Sequence, residues 1–150
     1  MKAWLALLMA TMLSEVDAGP ADVDAGVSGS TMRLEIVGLR NGKGHVLIAV
    51  YRPGDGFSET KSSAFRKETV AATEGGTTVE LKNLPVGTYA IALIHDENDN
   101  NKIDTGFFGL PVEGFCFSRG AMGLFGPPSF KDAAVSHTLE GGTQKLVVKY

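Results

Sequence analysis

The chain of 150 residues has little cysteine, and it has no run of positive charge. Its single cysteine, Cys116, leaves no internal disulfide, so the packed core alone must stabilise the fold. Phe115 and Phe117 flank Cys116 and favour a small buried side chain over a reactive thiol or a dimer link. The lysines and arginines are dispersed and the formal net charge is -3, so we expect no nucleic-acid partner.

Known catalytic motifs are also missing. The chain has no Gly-x-Ser-x-Gly elbow, no His-Glu-x-x-His, no Cys-x-x-Cys and no glycine loop for phosphate. The three histidines, His45, His95 and His137, are scattered, which gives a histidine-cluster metal site little support. We therefore expect a protein that binds or scaffolds rather than one that catalyses. His95 is expected at the edge of the core with a hydrogen bond, and an enzyme that uses it with neighbouring carboxylates ranks last.

The N-terminus has the pattern of an export signal. A short positive start, Met1-Lys2, precedes an apolar stretch over residues 3–13. Small residues suited to an export peptidase follow at Ala18 and Ala25. The apolar stretch is too short to span a bilayer. The pattern predicts a signal peptide over residues 1–18, with cleavage as late as residue 25. The mature chain would then be periplasmic or secreted, with no transmembrane anchor; a buried N-terminal helix is the alternative.

The remainder predicts short strands joined by turns. Residues 19–30 are rich in Gly, Ala, Asp and Ser and are predicted to form a disordered lead-in to a single domain over residues 31–150. Residues 45–51 and 88–95 are apolar on both faces, which predicts central strands covered on both sides. Half-buried strands with alternating patterns are expected elsewhere, and residues 57–72 suggest a helical turn before a strand. The fold class is therefore all-β, an antiparallel β-sandwich of about seven strands.

Two connections carry further expectations. Asn41-Gly42 lies between apolar runs, which predicts a β-hairpin joining the first two strands. Residues 105–130 form one long Gly-rich and Phe-rich loop. We expect its rings to plug an open face or end of the sandwich, with a ligand groove as the alternative. The six phenylalanines of this loop are Phe107, Phe108, Phe115, Phe117, Phe125 and Phe130.

The segment after the strand at residues 88–95 predicts a calcium site. Asp96, Asn98 and Asn100 fall at alternate positions, as the first side-chain ligands of a calcium loop do. Lys102 would offer its backbone carbonyl, and Asp104 would ligate directly or through a water. Calcium takes roughly six to eight hard oxygens and this arrangement supplies about five. A solvated turn, in which the Asx side chains cap their own backbone, is the alternative.

The loop departs from the full calcium pattern at two places and agrees with it at a third. Asn101 stands where such loops want glycine, although Asn tolerates a left-handed turn better than most residues. Phe107 occupies the place of the usual bidentate Glu, and Glu113 is a conceivable distant ligand. Ile103 agrees with the pattern, because it is apolar where such loops place a side chain that faces the core.

Six stretches carry a recognisable string of motifs, namely residues 84–90, 95–98, 102–104, 109–115, 117–118 and 126–133. Together they resemble a known bacterial family, the "domain of unknown function 2141" family, from about residue 31 to the C-terminus. The resemblance implies an exported bacterial protein with an immunoglobulin-like or transthyretin-like sandwich, and it supplies no function. The Pro-x-Gly-Thr-Tyr stretch is also similar to strand entries in adhesin stalks and carbohydrate-binding modules, which suggests a protein or carbohydrate ligand.

Three functions from different classes remain as hypotheses. The first is an exported, non-catalytic binding module whose calcium ion would fix the end of the strand and the Phe-rich loop. The second is a metal-free structural or interaction protein of the cell envelope. The third is an enzyme that uses His95.

Overall fold

The computed structural model describes residues 28–57 and 63–150. The predicted signal peptide and residues 19–27 of the lead-in lie outside the described residues, as does the middle of the helical turn expected after Phe57. Apart from two 3-10 turns at Phe107–Gly109 and Ser118–Gly120, the described residues form eight strands and one short α-helix. These are β1 (Gly29–Val37), β2 (His45–Tyr51), β3 (Arg66–Ala71), β4 (Gly76–Pro85), β5 (Gly87–Asp96), β6 (Gly114–Phe117), α1 (Phe130–Ala133), β7 (Val135–His137) and β8 (Gly142–Val147).

The strands form two sheets, as expected for an all-β sandwich. One sheet has three strands in the order β4-β1-β8, and the other has the order β3-β2-β5-β6, with β7 pairing the start of β5. The main core lies between the sheets. Strand β1 alternates buried and exposed residues, because only one face of its sheet meets this core.

The larger sheet is covered on its outer face as well. Strands β2 and β5 are buried along almost their whole length, as their continuous apolar sequences predict. The side chains that point outward from these two strands form a second apolar layer with residues of the connecting segments. Residues from outside the sheet that complete this layer include Phe57, Ile103 and Ala133. The connection from β5 to β7 therefore folds over the sheet.

The predicted β-hairpin at Asn41-Gly42 is wrong. Strands β1 and β2 lie in different sheets: β1 pairs with β4 and β8, whereas β2 pairs with β3 and β5. The Asn-Gly pair still marks a turn, where the Asn41 Oδ1 accepts the backbone N–H of Lys43 at 2.9 Å. A turn motif indicates that the chain reverses, and it does not determine which strands pair.

The smaller sheet corrects another prediction, because it is not wholly antiparallel. β1 and β8 pair in parallel, from Met32 opposite Gly142 to Val37 opposite Val147. The chain crosses from the larger sheet to the smaller one between β7 and β8. Residue alternation gives the faces of a strand and carries no information about its direction, so the sequence could not reveal this pairing.

The start of the domain and the long loop also differ from expectation. β1 begins at Gly29, two residues before the predicted domain start. A side chain on Gly29 would meet the backbone of Asn83, so this approach needs glycine. The stretch predicted as one loop over residues 105–130 contains β6, a strand of only four residues.

The phenylalanines of that stretch divide into two groups. Phe117 is buried, and Phe115 and Phe130 pack partly buried against the outer layer, as a plug requires. Phe107 and Phe125 are exposed, together with Phe108, so the expectation that all six rings cover the sandwich is wrong. No helix of the described residues is long and apolar enough to cross a membrane.

Candidate functional site

The candidate site lies at the end of β5. There Asp96 stands opposite His45, the first residue of β2, and His95 stands opposite Val46 and Gly114. We call residues 96–104, which follow directly, the acidic loop. Gly44 makes the close approach possible, because a side chain at this position would collide with the backbone of Asp96.

Asp96 organises the first half of the acidic loop. Its side chain is buried, and its two carboxylate oxygens accept the backbone N–H groups of Asn100 at 3.1 Å and Asn101 at 2.8 Å. Asn101 has φ 61°, which confirms the left-handed turn expected where calcium loops place glycine. Ile103 is buried in the outer layer, as expected for the residue that faces the core. The loop is therefore wrapped around the Asp96 carboxylate.

Three other predicted ligands come together in the second half. The Asn98 Nδ2 lies 2.5 Å from the Asp104 Oδ2, and the Asn100 Nδ2 lies 2.8 Å from the Asp104 Oδ1. The Asn100 Oδ1 accepts the backbone N–H of Lys102 at 3.0 Å. The carbonyl oxygen of Lys102 accepts no hydrogen bond from the described part of the chain. Asn98, Asn100 and Asp104 thus share one small polar centre.

Glu113 closes the loop from outside. Glu113 is only 4% exposed. One carboxylate oxygen accepts the backbone N–H of Glu97 and the other that of Asp104, both at 2.9 Å. Burial raises the pKa of Glu113, the two backbone hydrogen bonds partly offset this, and the carboxylates of Asp104 and Asp96 raise it further. Glu113, considered above as a distant ligand, is a clamp that ties both ends of the loop together.

Glu97 fastens the loop to the segment before β2. Its carboxylate lies 2.6 Å from the Arg40 guanidinium and accepts a hydrogen bond from the Asn41 amide at 2.8 Å. Burial acts to raise the pKa of Glu97, but the hydrogen bonds from Asn41 and Arg40 and the positive charge of Arg40 outweigh it and lower the pKa. This carboxylate is therefore held in its ionised form.

His95 and Tyr150 form a hydrogen-bonded relay beside the loop. His95 is 0% exposed; its Nε2 lies 2.8 Å from the Lys43 carbonyl oxygen and its Nδ1 lies 2.6 Å from the Tyr150 hydroxyl. Because a carbonyl can only accept, Nε2 carries the proton, and Nδ1 accepts from the Tyr150 O–H. The Tyr150 oxygen in turn accepts the backbone N–H of Arg40 at 3.1 Å. Both ring nitrogens are engaged, as expected for a hydrogen-bonded histidine.

The donor set of the site consists of oxygens. Within residues 28–57 and 63–150, no three His, Cys, Asp or Glu side chains lie close enough together to hold a metal ion. A cation at the acidic loop would therefore need the amide oxygens of Asn98 and Asn100 and a backbone carbonyl beside the carboxylate of Asp104. Hard oxygens of this kind suit calcium rather than a transition metal.

Sequence reasoning missed the contacts that hold the loop in place. The clamp by Glu113, the pair of Glu97 with Arg40 and the relay from His95 to Tyr150 all join residues far apart in the chain. One local signal was available for Glu113, which is the only charged residue between Asp104 and Arg119. A lone carboxylate in an apolar stretch predicts a buried partner set.

The fold and the site define the class of protein, which is an all-β sandwich with a polar, internally hydrogen-bonded loop at one end of its larger sheet. Residues 34–145 match the family described as "Uncharacterized protein conserved in bacteria (DUF2141)". The chain belongs to this family, which confirms the resemblance. No curated protein and no solved structure matches the chain.

Proposed function

We propose that the chain is an exported, non-catalytic binding module whose acidic loop takes up a calcium ion. The observation that carries the calcium part is the convergence of Asn98, Asn100 and Asp104 on one centre. Their two amide nitrogens point at the Asp104 carboxylate. Rotation of each amide by half a turn would present its oxygen, so that three side chains offer oxygens to one ion. The rotation exchanges the hydrogen bonds that the Asn98 and Asn100 oxygens accept from the backbone N–H groups of Asn100 and Lys102 for bonds to the ion.

The charge of the region supports the same proposal. Five carboxylates lie in or against the acidic loop, namely those of Asp96, Glu97, Asp99, Asp104 and Glu113. Glu97 is balanced by Arg40, and Asp99 lies 2.5 Å from the Nδ1 of His45. Asp96 and Asp104 have no cationic partner among the described residues, and each is hydrogen-bonded by backbone or amide groups only. A divalent cation would offset this excess of negative charge.

Thermal unfolding with a chelator, with millimolar calcium and with magnesium tests the proposal. We assume that calcium binds with the affinity of extracellular modules. A calcium concentration tenfold above Kd then raises the free energy of unfolding by about 1.4 kcal/mol, which corresponds to a rise of about 5 °C in Tm. Asp104→Asn should abolish the rise, because it removes the charge at the shared centre. Asp132→Asn, a change in an exposed aspartate on α1, should leave it intact.

Asp96→Ala is a poorer test than the sequence suggests. Because Asp96 accepts two backbone N–H groups, its loss lowers stability with or without calcium. The proposal fails if calcium and magnesium raise Tm equally, if neither does, or if the Asp104→Asn variant keeps the full response.

Export is supported by the pattern of residues 1–25, which lie outside the described residues. Fractionation of cells that express the full chain, with the N-terminal mass of the recovered protein, tests this part. A chain that stays in the cytoplasm with Met1 retained would contradict it.

The metal-free interaction protein is the second candidate function, and one observation favours it. Phe107 and Phe108 are 91% and 76% exposed, which a purely structural loop does not require. The enzyme hypothesis gains no support of this kind, because His95 is buried with both ring nitrogens hydrogen-bonded.

A further inference from the structure

The segment after the acidic loop presents apolar side chains to solvent. We call residues 105–112 the apolar tip. Phe107, Phe108 and Leu110 of this segment are 91%, 76% and 56% exposed, and the segment has no charged residue. Single exposed apolar side chains are ordinary, but a cluster on one protruding segment marks an interaction site.

The apolar tip is a built structure. Thr105 and Pro111 form an isolated antiparallel β-bridge. The Gly106 N–H donates to the Leu110 carbonyl oxygen, and the Val112 N–H donates to the Asp104 carbonyl oxygen, both at 2.9 Å. The chain reverses inside this frame with its aromatic rings outward. The frame fixes the direction of the exposed rings, since its base is the pair of Asp104 with Val112, and Glu113 holds the backbone N–H of Asp104.

One backbone conformation inside the tip has a cost. Phe108 has φ 67°, in the left-handed region that phenylalanine rarely adopts. Burial does not explain the choice of phenylalanine at this position, because the side chain is mostly exposed. A strained residue whose side chain faces solvent indicates selection for a contact outside the chain.

A second segment repeats the pattern on the same side of the larger sheet. Leu124 and Phe125 are 94% and 75% exposed, and residues 120–130 carry no charge. Ala121 and Phe130, on either side of them, pack into the outer layer that also holds Ile103. Both exposed segments are therefore anchored in one apolar layer.

The charges beside the two segments indicate the partner. Lys102 precedes the apolar tip, and Arg119 and Lys131 border the second segment; all three are exposed, and none is ion-paired with a described residue. Carboxylates lie beside them, because Asp104 directly precedes the tip and Asp132 follows Lys131. Uncharged apolar projections with both cations and carboxylates at their borders match a zwitterionic phospholipid surface, where an apolar layer lies beneath headgroups of both charges. A protein partner would need two separate matching cavities, whereas a bilayer receives any projection.

We propose that the chain docks on a phospholipid bilayer by inserting the apolar tip, with Phe107 and Phe108 as its anchors. The inference rests on the binding-module part of the proposed function and does not require calcium. It names the bilayer surface as the partner and residues 120–127 as a second contact.

A fluorophore on the tip of the full chain tests the insertion directly. Leu110→Cys provides one reactive thiol on the tip and keeps both anchors, because Cys116 is buried and burial raises its pKa to about 12. A polarity-sensitive maleimide attached there should shift its emission to the blue with phosphatidylcholine vesicles. The same label on Leu139→Cys, an exposed position in the turn between β7 and β8, should not shift. This comparison is insensitive to vesicle binding by the apolar N-terminal residues, since each label reports only its own surroundings.

A substitution at the second anchor measures how much one ring contributes to the vesicle affinity. Phe108→Ser on the labelled chain should weaken the apparent vesicle affinity about tenfold, as expected when one ring loses its apolar contact. Val86→Ser, a change in an exposed valine between β4 and β5, should leave the affinity unchanged.

Several outcomes would overturn the inference. No shift at either position, equal shifts at both, or an unchanged affinity for Phe108→Ser would do so. A shift that grows with protein concentration without vesicles would instead identify a second copy of the chain as the partner.

Measurements in chelator and in calcium separate the two proposals. A shift without any calcium effect on Tm defeats only the calcium site, whereas a calcium effect on Tm without a shift defeats only the bilayer contact.

Discussion

The acidic loop and the apolar tip are neighbours in the chain and invert the usual distribution of side chains. In the acidic loop, the charged side chain of Asp96 turns inward, where it is buried and bonds the backbone. In the apolar tip, rings turn outward into solvent. Burial of polar groups is tolerated when each is hydrogen-bonded, whereas rings left mostly in solvent gain little of the free energy that burial supplies. The buried part of the acidic loop therefore serves the fold, whereas the exposure of the apolar tip fits the external contact that we propose for it.

The largest expected effect separates a ring that serves the fold from one that does not. Phe117→Ala should cost about 3–5 kcal/mol in the free energy of unfolding, because Phe117 is buried against the rings of Phe57 and Phe115. Phe107→Ala should change it by less than about 0.5 kcal/mol. Urea unfolding of both variants in chelator measures the difference. Similar losses in both would show that the apolar tip is packed in solution, and the comparison would fail.

The second largest effect on the free energy of unfolding is expected at Glu113, the clamp of the acidic loop. Glu113→Gln should cost about 1–3 kcal/mol, because the new NH₂ group faces a backbone N–H that the carboxylate oxygen accepted. Glu140→Gln, on an exposed residue, is the matched control and should cost less than about 0.5 kcal/mol. Urea midpoints at constant slope provide the measurement. A Glu113→Gln variant as stable as the wild type would show that the loop holds its shape without the clamp.

The pH dependence of that cost follows from the raised pKa of Glu113. A carboxyl group whose pKa is raised in the folded state contributes stability while it is protonated and loses that contribution when it ionises. Below its ordinary value of 4.5 the group is protonated in both the folded and the unfolded state, and as pH rises through the raised pKa the folded state loses stability. The advantage of the wild type over Glu113→Gln should therefore be larger in acid than at neutral pH. Unfolding of both proteins across this range checks the sign.

The sequence predicted the parts of the molecule that depend on local pattern. The two central strands and the left-handed turn at Asn101 follow from apolar runs and from the spacing of the Asx residues. What it could not predict depends on contacts between distant residues. The parallel pairing of β1 with β8, the separation of β1 from β2 and the clamp by Glu113 are of this kind. The exposed rings of the tip were misassigned for a different reason, since hydrophobicity predicts burial and gives no sign of an external partner.

The smallest expected effect tests whether the apolar tip is strained. Phe108→Asn should raise the free energy of unfolding by about 0.5 kcal/mol, because Asn adopts the left-handed conformation more readily than Phe. Phe107→Asn, at the neighbouring residue without a positive φ, should give no gain. Urea unfolding of both variants in chelator measures this, and the same Phe108→Asn variant should bind vesicles more weakly. A gain in stability with a loss of binding is the relation expected when a strained residue is kept for its contact. If Phe108→Asn instead destabilises the chain, the ring of Phe108 contributes to folding, for instance through its contact with Phe107 at 6.0 Å between centroids, and the strain argument for an external partner is lost.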